Sequence, residues 1–220
     1  VAMRASGIDQ WQDGYPNRAC WQADVEDGFA YVARDDDGGV VGAFSFVADA
    51  RTNDPEPSYD EIDGAWLTSD ANYAAIHRVC VAPEAKGRGV ATAMFAFACE
   101  KAYDLGISSL RVDTHADNVP MQRTLAKAGF TFCGTIVLVD GVDAGGSRIA
   151  FEKLVEPGRG GKRACPREGN RRGCDAGISG FREANSPGCF SPCAEAPRGR
   201  VPARPSEAND RCFPRRDGRE

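Results

Sequence analysis

The chain has 220 residues, of which 42% are hydrophobic and 27% are charged, with a formal net charge of −5. These values allow one domain with a substantial core and leave some chain over for an appendage. No apolar run is long enough to cross a bilayer, and residues 1–10 lack the pattern of a secretory signal, so we expect a soluble, cytoplasmic protein without membrane association.

Apolar runs bounded by Gly, Pro and Asp predict six strands, at residues 29–33, 40–48, 74–82, 110–114, 130–139 and 148–155. The first two flank an acidic, Gly-rich turn and predict a hairpin. Apolar residues at three- and four-residue spacing predict a helix between Gly87 and Gly106. Asp117 or Asn118 caps a second predicted helix that runs to Ala128. This order of elements predicts a mixed α/β fold.

The composition changes near Val155. Residues 156–220 carry a net charge of +5 with ten Gly and eight Pro, whereas residues 1–155 carry −10. We therefore predict a folded domain over 1–155 and a disordered basic tail over 156–220, which has almost no apolar periodicity. Nine acidic residues are mixed with the basic ones and aromatics are few, which argues against nucleic-acid binding. A shift of the reading frame near codon 155 would also produce this composition.

The nine cysteines are spread over the whole chain. Because their number is odd and no paired spacing recurs, a disulfide framework is disfavoured. A zinc site is conceivable only in the tail, which holds no histidine and five cysteines: Cys165, Cys174, Cys189, Cys193 and Cys212. We predict no metal site.

A glycine-rich turn joins the third predicted strand to the first predicted helix, in the sequence VCVAPEAKGRGVA. Such a turn presents several backbone N–H groups and the positive end of a helix dipole, which together bind a phosphate or pyrophosphate. Gly87-Arg88-Gly89 lacks the third glycine of a dinucleotide-binding GxGxxG motif, and the chain contains no phosphate loop of the GxxxxGK type.

The stretch from Lys86 to Ala91 resembles the acyl-CoA motif Q/R-x-x-G-x-G/A of the GNAT superfamily of N-acetyltransferases. The preceding strand, Val79 to Pro83, is similar to the one before this motif in the family, and Asn118 and Gly129-Phe130 bound the next helix as in the family. The resemblance covers residues 11–155. It implies a GNAT fold with a central mixed sheet flanked by helices, with the family's N-terminal strand missing from this chain.

The resemblance also implies acetyl-CoA as co-substrate. The backbone of Val79 would polarise the thioester carbonyl, that of Val81 would bond the pantetheine arm, and the amides of residues 87–91 would hold the pyrophosphate. Lys86 stands where the family has Arg or Gln, and Leu125 where it often has a tyrosine that protonates the CoA thiolate. The implied donor site comprises Val79, Val81, Lys86, Gly87, Arg88, Gly89, Val90, Ala91 and Asn118.

The chain has two histidines, and each has a catalytic and a structural interpretation. Strict alternation along the third strand puts His77 on the face of Val79 and Val81, where some aralkylamine-acetylating relatives carry a histidine that removes the amine proton. The alternative is a histidine that bonds inside the sheet. His115, at the end of the fourth strand, is a candidate acid or base or a hydrogen-bond partner at the helix start.

These features predict an N-acetyltransferase that transfers an acetyl group from acetyl-CoA to a primary amine by direct attack in a ternary complex. The alternative is a GNAT-like module that binds acyl-CoA without turnover. The acceptor would be a small-molecule or peptide amine, and Trp11, Tyr15 and Trp66 are candidates to line its pocket. The charge of −10 on residues 1–155 favours a cationic acceptor. The oligomeric state stays open, a homodimer included.

Overall fold

The computed structural model of the chain describes residues 2–5, 7–12, 14–48, 57–69, 72–139, 143–156 and 178–184. Its helices are α1 (Ala2–Ala5), α2 (Arg18–Glu26), α3 (Val90–Asp104) and α4 (Val119–Lys127). Its strands are β1 (Ala30–Asp35), β2 (Val40–Val47), β3 (Asp63–Gly64), β4 (Tyr73–Val81), β5 (Ser109–Thr114), β6 (Thr131–Val137), β7 (Ser147–Leu154) and β8 (Ile178–Glu183). The predicted mixed α/β fold is confirmed; the sequence pattern did not predict α2, β3 or β8.

The eight strands form one sheet in the order β3-β6-β7-β5-β4-β2-β1-β8. Every neighbouring pair is antiparallel except β4 and β5. The predicted hairpin of β1 and β2 closes through Asp35, whose carboxylate accepts from the Gly39 N–H at 2.7 Å. Gly38 takes a φ of +81° in this turn, a conformation that favours glycine.

Two hydrophobic clusters lie on opposite faces of the sheet, because successive side chains of a strand alternate. Phe46 and Ile76 belong to the cluster that α3 covers, whereas their neighbours Val47 and Ala75 belong to the other. Helix α3 buries a single stripe at helical spacing, made of Val90, Met94, Phe95, Ala98 and Ala102. Helix α3 therefore packs on one face of the sheet along its whole length.

The parallel strands β4 and β5 pair only near their starts. Their register joins residues 73–75 to residues 109–111, and the described residues show no pairing between these two strands beyond it. Strand β4 continues to Val81 and β5 to Thr114. The two strands therefore separate toward their carboxyl ends, next to the glycine-rich turn that leads into α3.

Strand β8 lies inside the segment for which the composition predicts disorder. It pairs antiparallel with β1, and the Phe181 ring stacks on Phe97 of α3 with centroids 4.6 Å apart. The structure corrects the prediction for these six residues. The edge of β1 offers backbone hydrogen-bond partners to β8, and the ring of Phe181 adds an apolar contact. The average composition of the tail does not indicate either interaction. The five tail cysteines lie outside the described residues.

No helix in the described part of the chain is long and apolar enough to span a membrane. Across the same described ranges, no group of three or more His, Cys, Asp or Glu side chains lies close enough to hold a metal ion. The four cysteines in the described part of the chain, Cys20, Cys80, Cys99 and Cys133, form no disulfide bond with one another.

Candidate functional site

A cavity of about 800 Å³ lies where β4 and β5 separate. Its lining comes from the N-terminal loop, the end of β4, the glycine-rich turn with the start of α3, and α4. Among the described residues that line it, Lys86, Arg123 and Lys127 are cationic and none is a carboxylate. This cavity therefore suits an anionic ligand.

The glycine-rich turn forms an anion-binding end of the cavity. Gly87 and Gly89 take φ values of +79° and +83°, and Gly89 is the N-cap of α3 without a side chain that caps the helix. The N–H groups of the first helical turn have no intrahelical acceptor, and the helix dipole adds positive potential there. A Cβ added at Gly87 would meet nothing within 4 Å. The turn leaves room for a phosphate and offers it backbone donors.

The structure brings all but one of the predicted donor-site residues to this cavity. Those that line it are Val79, Val81, Lys86, Gly87, Gly89, Val90, Ala91 and Asn118. Arg88 does not line it: its side chain is exposed, and its backbone N–H donates to the Ala85 carbonyl at 3.3 Å. Sequence reasoning missed Arg123 and Lys127, although their four-residue spacing on α4 puts both on one helical face.

Asn118 joins the cavity wall to the N-terminal loop. Its side-chain oxygen accepts from the Met121 N–H at 3.3 Å, which confirms it as the N-cap of α4. Its amide nitrogen donates to the side-chain oxygen of Gln10 at 3.0 Å. The Thr114 hydroxyl donates to the same oxygen. Asn118 is 4% exposed. Its side chain thus holds α4, β5 and the loop before α2 together.

His77 does not face the cavity, and the expectation that it shares a face with Val79 and Val81 is wrong. Arg78 takes a φ of +53°, and the pairing register with β2 shifts at this point, so strict alternation fails. The His77 ring stacks on Tyr59 at 6.3 Å, and its buried Nε2 has no hydrogen-bond partner among the described residues. Burial and, second, the adjacent Arg78 cation lower the pKa of His77 to about 3.

His115 and Trp66 also lie outside the cavity lining. The Nδ1 atom of His115 accepts a hydrogen bond from the Asp117 N–H at 3.2 Å. This contact is the one expected for a hydrogen-bond partner at the start of the helix. The Trp66 ring packs against Tyr59 at 5.3 Å and against the Arg111 guanidinium at 4.2 Å. Trp11 and Tyr15, the other two aromatic candidates, do line the cavity.

A buried charge network behind the cavity was not predicted from the sequence. Asp24 of α2 accepts from Arg78 Nε at 2.7 Å and from Nη2 at 2.6 Å, and the Ser45 hydroxyl also donates to it. Arg78 Nη1 donates to Tyr15 Oη at 3.1 Å. Burial alone would lower the pKa of Arg78, but the oxygens of Tyr15 and Asp24 outweigh it and raise the pKa above its usual value. No local pattern signals these contacts, because Asp24 and Tyr15 lie 54 and 63 residues from Arg78 in the chain.

Comparison with known proteins agrees with this geometry. Residues 2–130 match the model of the Acetyltransferase (GNAT) family, and no curated protein matches the chain. A GNAT-family acetyltransferase from Streptococcus agalactiae 2603 is 31% identical with a TM-score of 0.59, over 71% of this chain and 83% of that chain. A GNAT-family acetyltransferase from Listeria monocytogenes 4b F2365, 18% identical with a TM-score of 0.50 over 70% and 81%, shares the fold. The chain therefore belongs to the GNAT acetyltransferase family.

Proposed function

We propose that the cavity binds acetyl-CoA and that the protein transfers its acetyl group to a primary amine. The observation that carries this proposal is the uncapped, glycine-rich start of α3, which opens into a cavity with three cationic side chains and no carboxylate among its described lining residues. The first-turn amides and Lys86 are suited to the diphosphate, and Arg123 and Lys127 of α4 add positive charge.

The end of β4 is suited to the acyl and pantetheine part of the same molecule. On its β2 side the strand is paired, with Gly42 opposite Val81 and Ala43 opposite Cys80. On its β5 side, the pairing of the described residues ends at Ala75. The backbone groups of Val79 and Val81 on that side can therefore hydrogen-bond a ligand that lies in the gap as an added strand would.

The geometry supports direct attack of the amine on the thioester. The lining contains Cys80, but burial raises the pKa of its thiol, which disfavours a thiolate that would carry the acetyl group. His77 lies outside the cavity with a pKa of about 3, too weak a base for an ammonium group. We therefore assign removal of the ammonium proton to water. The acceptor would be a small-molecule or peptide amine.

The second candidate function is acyl-CoA binding without turnover. Leu125 of α4 is fully buried in the core, so the helix offers no phenol at that position. The two functions share the donor site and differ in whether CoA is released. An experiment on this protein must therefore separate binding from turnover.

Calorimetric titration with acetyl-CoA tests the donor site. Gly89→Glu places a carboxylate at the N-cap of α3 and should abolish binding. The carboxylate would repel the diphosphate, and the new side chain would block the backbone N–H groups of the first helical turn. Gly38→Glu is the matched control, since Gly38 has a similar φ of +81° but lies in the β1–β2 turn. It should bind acetyl-CoA as the unmodified protein does.

Turnover is then followed as release of the CoA thiol with a polyamine, an aromatic monoamine, an amino acid and a peptide with a free N-terminus. Release with any of them supports the transferase. Binding without release in all four favours the second candidate function, and absence of acetyl-CoA binding to the unmodified protein refutes both.

A further inference from the structure

A bulge in β4 brings Val79 to the cavity. One residue of β2, Phe44, stands opposite two residues of β4, Arg78 and Val79, so β4 carries an extra residue at this point. Ile76, before the bulge, belongs to the cluster that α3 covers. Regular alternation would give this face to Arg78 next and would turn Val79 to the opposite face. Because of the extra residue, Val79 lies on the face of α3 and lines the cavity.

The bulge depends on an unfavourable backbone conformation at Arg78. Its φ of +53° lies in the left-handed region, where the Cβ of a residue other than glycine comes too close to the following carbonyl oxygen. A residue with a side chain keeps such a conformation only where surrounding contacts stabilise it. The Arg78 side chain makes contacts that can supply this stabilisation.

Asp24 of α2 holds that side chain. Its two carboxylate oxygens accept from Arg78 Nε at 2.7 Å and from Nη2 at 2.6 Å, a bidentate geometry that fixes the orientation of the guanidinium. The side chains of Asp24 and Arg78 are 4% and 10% exposed, so water competes little for either. The Ser45 hydroxyl donates to Asp24 and accepts from Arg78 Nε at 3.3 Å. Ser45 follows Phe44 on β2, so this network lies directly beside the bulge.

We propose that Asp24 is a positioning residue for the donor site, an assignment that rests on the function proposed above. By binding the guanidinium, Asp24 keeps Arg78 in its left-handed conformation and so keeps the bulge in β4. The backbone of Val79 is then placed to donate to the carbonyl oxygen of the bound acetyl group. Neither Asp24 nor Arg78 lines the cavity, so Asp24 acts on the ligand through Arg78 and the bulge.

The same ion pair also ties α2 to the sheet, and that tie alone would stabilise the fold without serving the donor site. The two roles make different demands on position 78. The tie needs the guanidinium, and once the guanidinium is gone glycine and alanine are equivalent for it. The bulge needs the left-handed conformation, which glycine adopts freely and alanine does not. Replacing Arg78 by each of the two therefore separates the roles.

The test compares two double variants of the full chain, Asp24→Asn/Arg78→Gly and Asp24→Asn/Arg78→Ala. Both lack the ion pair and neither leaves a buried charge of this pair without its partner, so they differ in the backbone freedom at position 78. Calorimetry measures their affinity for acetyl-CoA. The infrared carbonyl stretch of bound acetyl-CoA, isotope-labelled at the thioester carbonyl, reports hydrogen bonding to that oxygen. This readout needs no acceptor amine.

In the unmodified protein and in the Arg78→Gly double variant, the bound thioester should absorb at a lower frequency than free acetyl-CoA, because a hydrogen bond weakens the carbonyl bond. The Arg78→Ala double variant should lose this shift. Affinity for acetyl-CoA should be the same in both, since the phosphates bind at the glycine-rich turn. With an amine that is turned over, kcat should be about 100-fold lower in the Arg78→Ala double variant than in the Arg78→Gly one.

Two single variants complete the experiment. Glu152→Gln is the control for the loss of a buried ion pair as such, because Glu152 pairs with Arg111 at 3.1 Å and neither lines the cavity. It should keep the shift. Ser45→Ala removes only the hydroxyl between Asp24 and Arg78, and it should reduce the shift at an unchanged affinity. This milder variant decides the question if the double variants do not fold.

The assignment would be overturned by an equal shift in the two double variants, by loss of the shift in Glu152→Gln, or by absence of the shift in unmodified protein that binds acetyl-CoA. If the double variants do not fold, an unchanged shift in Ser45→Ala would overturn it. Failure of acetyl-CoA to bind the unmodified protein would instead remove the proposed function on which the assignment rests.

Discussion

Protonation of His77 should make the protein less stable in mild acid. The pKa of this residue is about 3 in the folded state against 6.5 for an unperturbed histidine. Below pH 6.5 this histidine therefore binds a proton in the unfolded chain but stays neutral in the folded one, so the free energy of unfolding falls as the pH is lowered. Between pH 7 and pH 5, these two pKa values lower the free energy of unfolding by about 2 kcal/mol.

Urea unfolding at pH 7 and at pH 5 measures this loss, with His77→Phe as the test variant. Phenylalanine keeps a ring against Tyr59 and removes both the titrating group and the buried Nε2, which has no partner among the described residues. The loss between the two pH values should be about 2 kcal/mol smaller in this variant, because the other acid-sensitive groups are common to both proteins.

His115→Phe is the comparison variant: a reduction of the loss as large as that in His77→Phe would show that the effect does not belong to His77. An equal loss in the unmodified protein and in His77→Phe would refute the inference that burial keeps His77 neutral. The exclusion of His77 as the base of the transfer reaction would then have to be withdrawn.

Two further stability predictions concern tertiary contacts that the sequence pattern did not reveal. Phe181→Ala should lower the free energy of unfolding by about 1–2 kcal/mol, because a half-buried ring leaves its stack on Phe97; an unchanged urea midpoint would mean that β8 is not docked in solution. Glu152→Gln should cost about 3 kcal/mol, because it removes the buried charge that faces Arg111 at 3.1 Å and accepts from Ser109 at 2.6 Å; thermal unfolding within a degree of the unmodified protein would contradict this.

The glycine-rich end of the cavity was predictable because its geometry is local. Gly87 and Gly89 take positive φ values that glycine favours, and the next residues begin a helix with an apolar stripe. An anion site made of backbone amides depends on these few dihedral angles and on a helix start, both of which a short sequence discloses. Arg88 was the exception, since the turn itself uses its amide.

The positions of the two histidines were not predictable in this way. His77 was placed from two-residue alternation, which holds only while a strand stays regular. The bulge at Arg78 breaks the alternation, and the carboxylate that holds the Arg78 side chain belongs to Asp24, 54 residues earlier in the chain. A short stretch of sequence around His77 does not contain this partner, so it could not predict the direction of the His77 side chain.

The amino-acid sequence by itself therefore determined the order of most of the elements, the glycine-rich turn and the family. Tertiary structure decided which distant residues meet: it buried His77 against Tyr59, joined Tyr15 to Arg78, and added β8 to the edge of β1. The physical reason is range. Helix starts and glycine turns follow from interactions within a few residues, whereas the direction of a buried side chain depends on partners that only the folded sheet brings within reach.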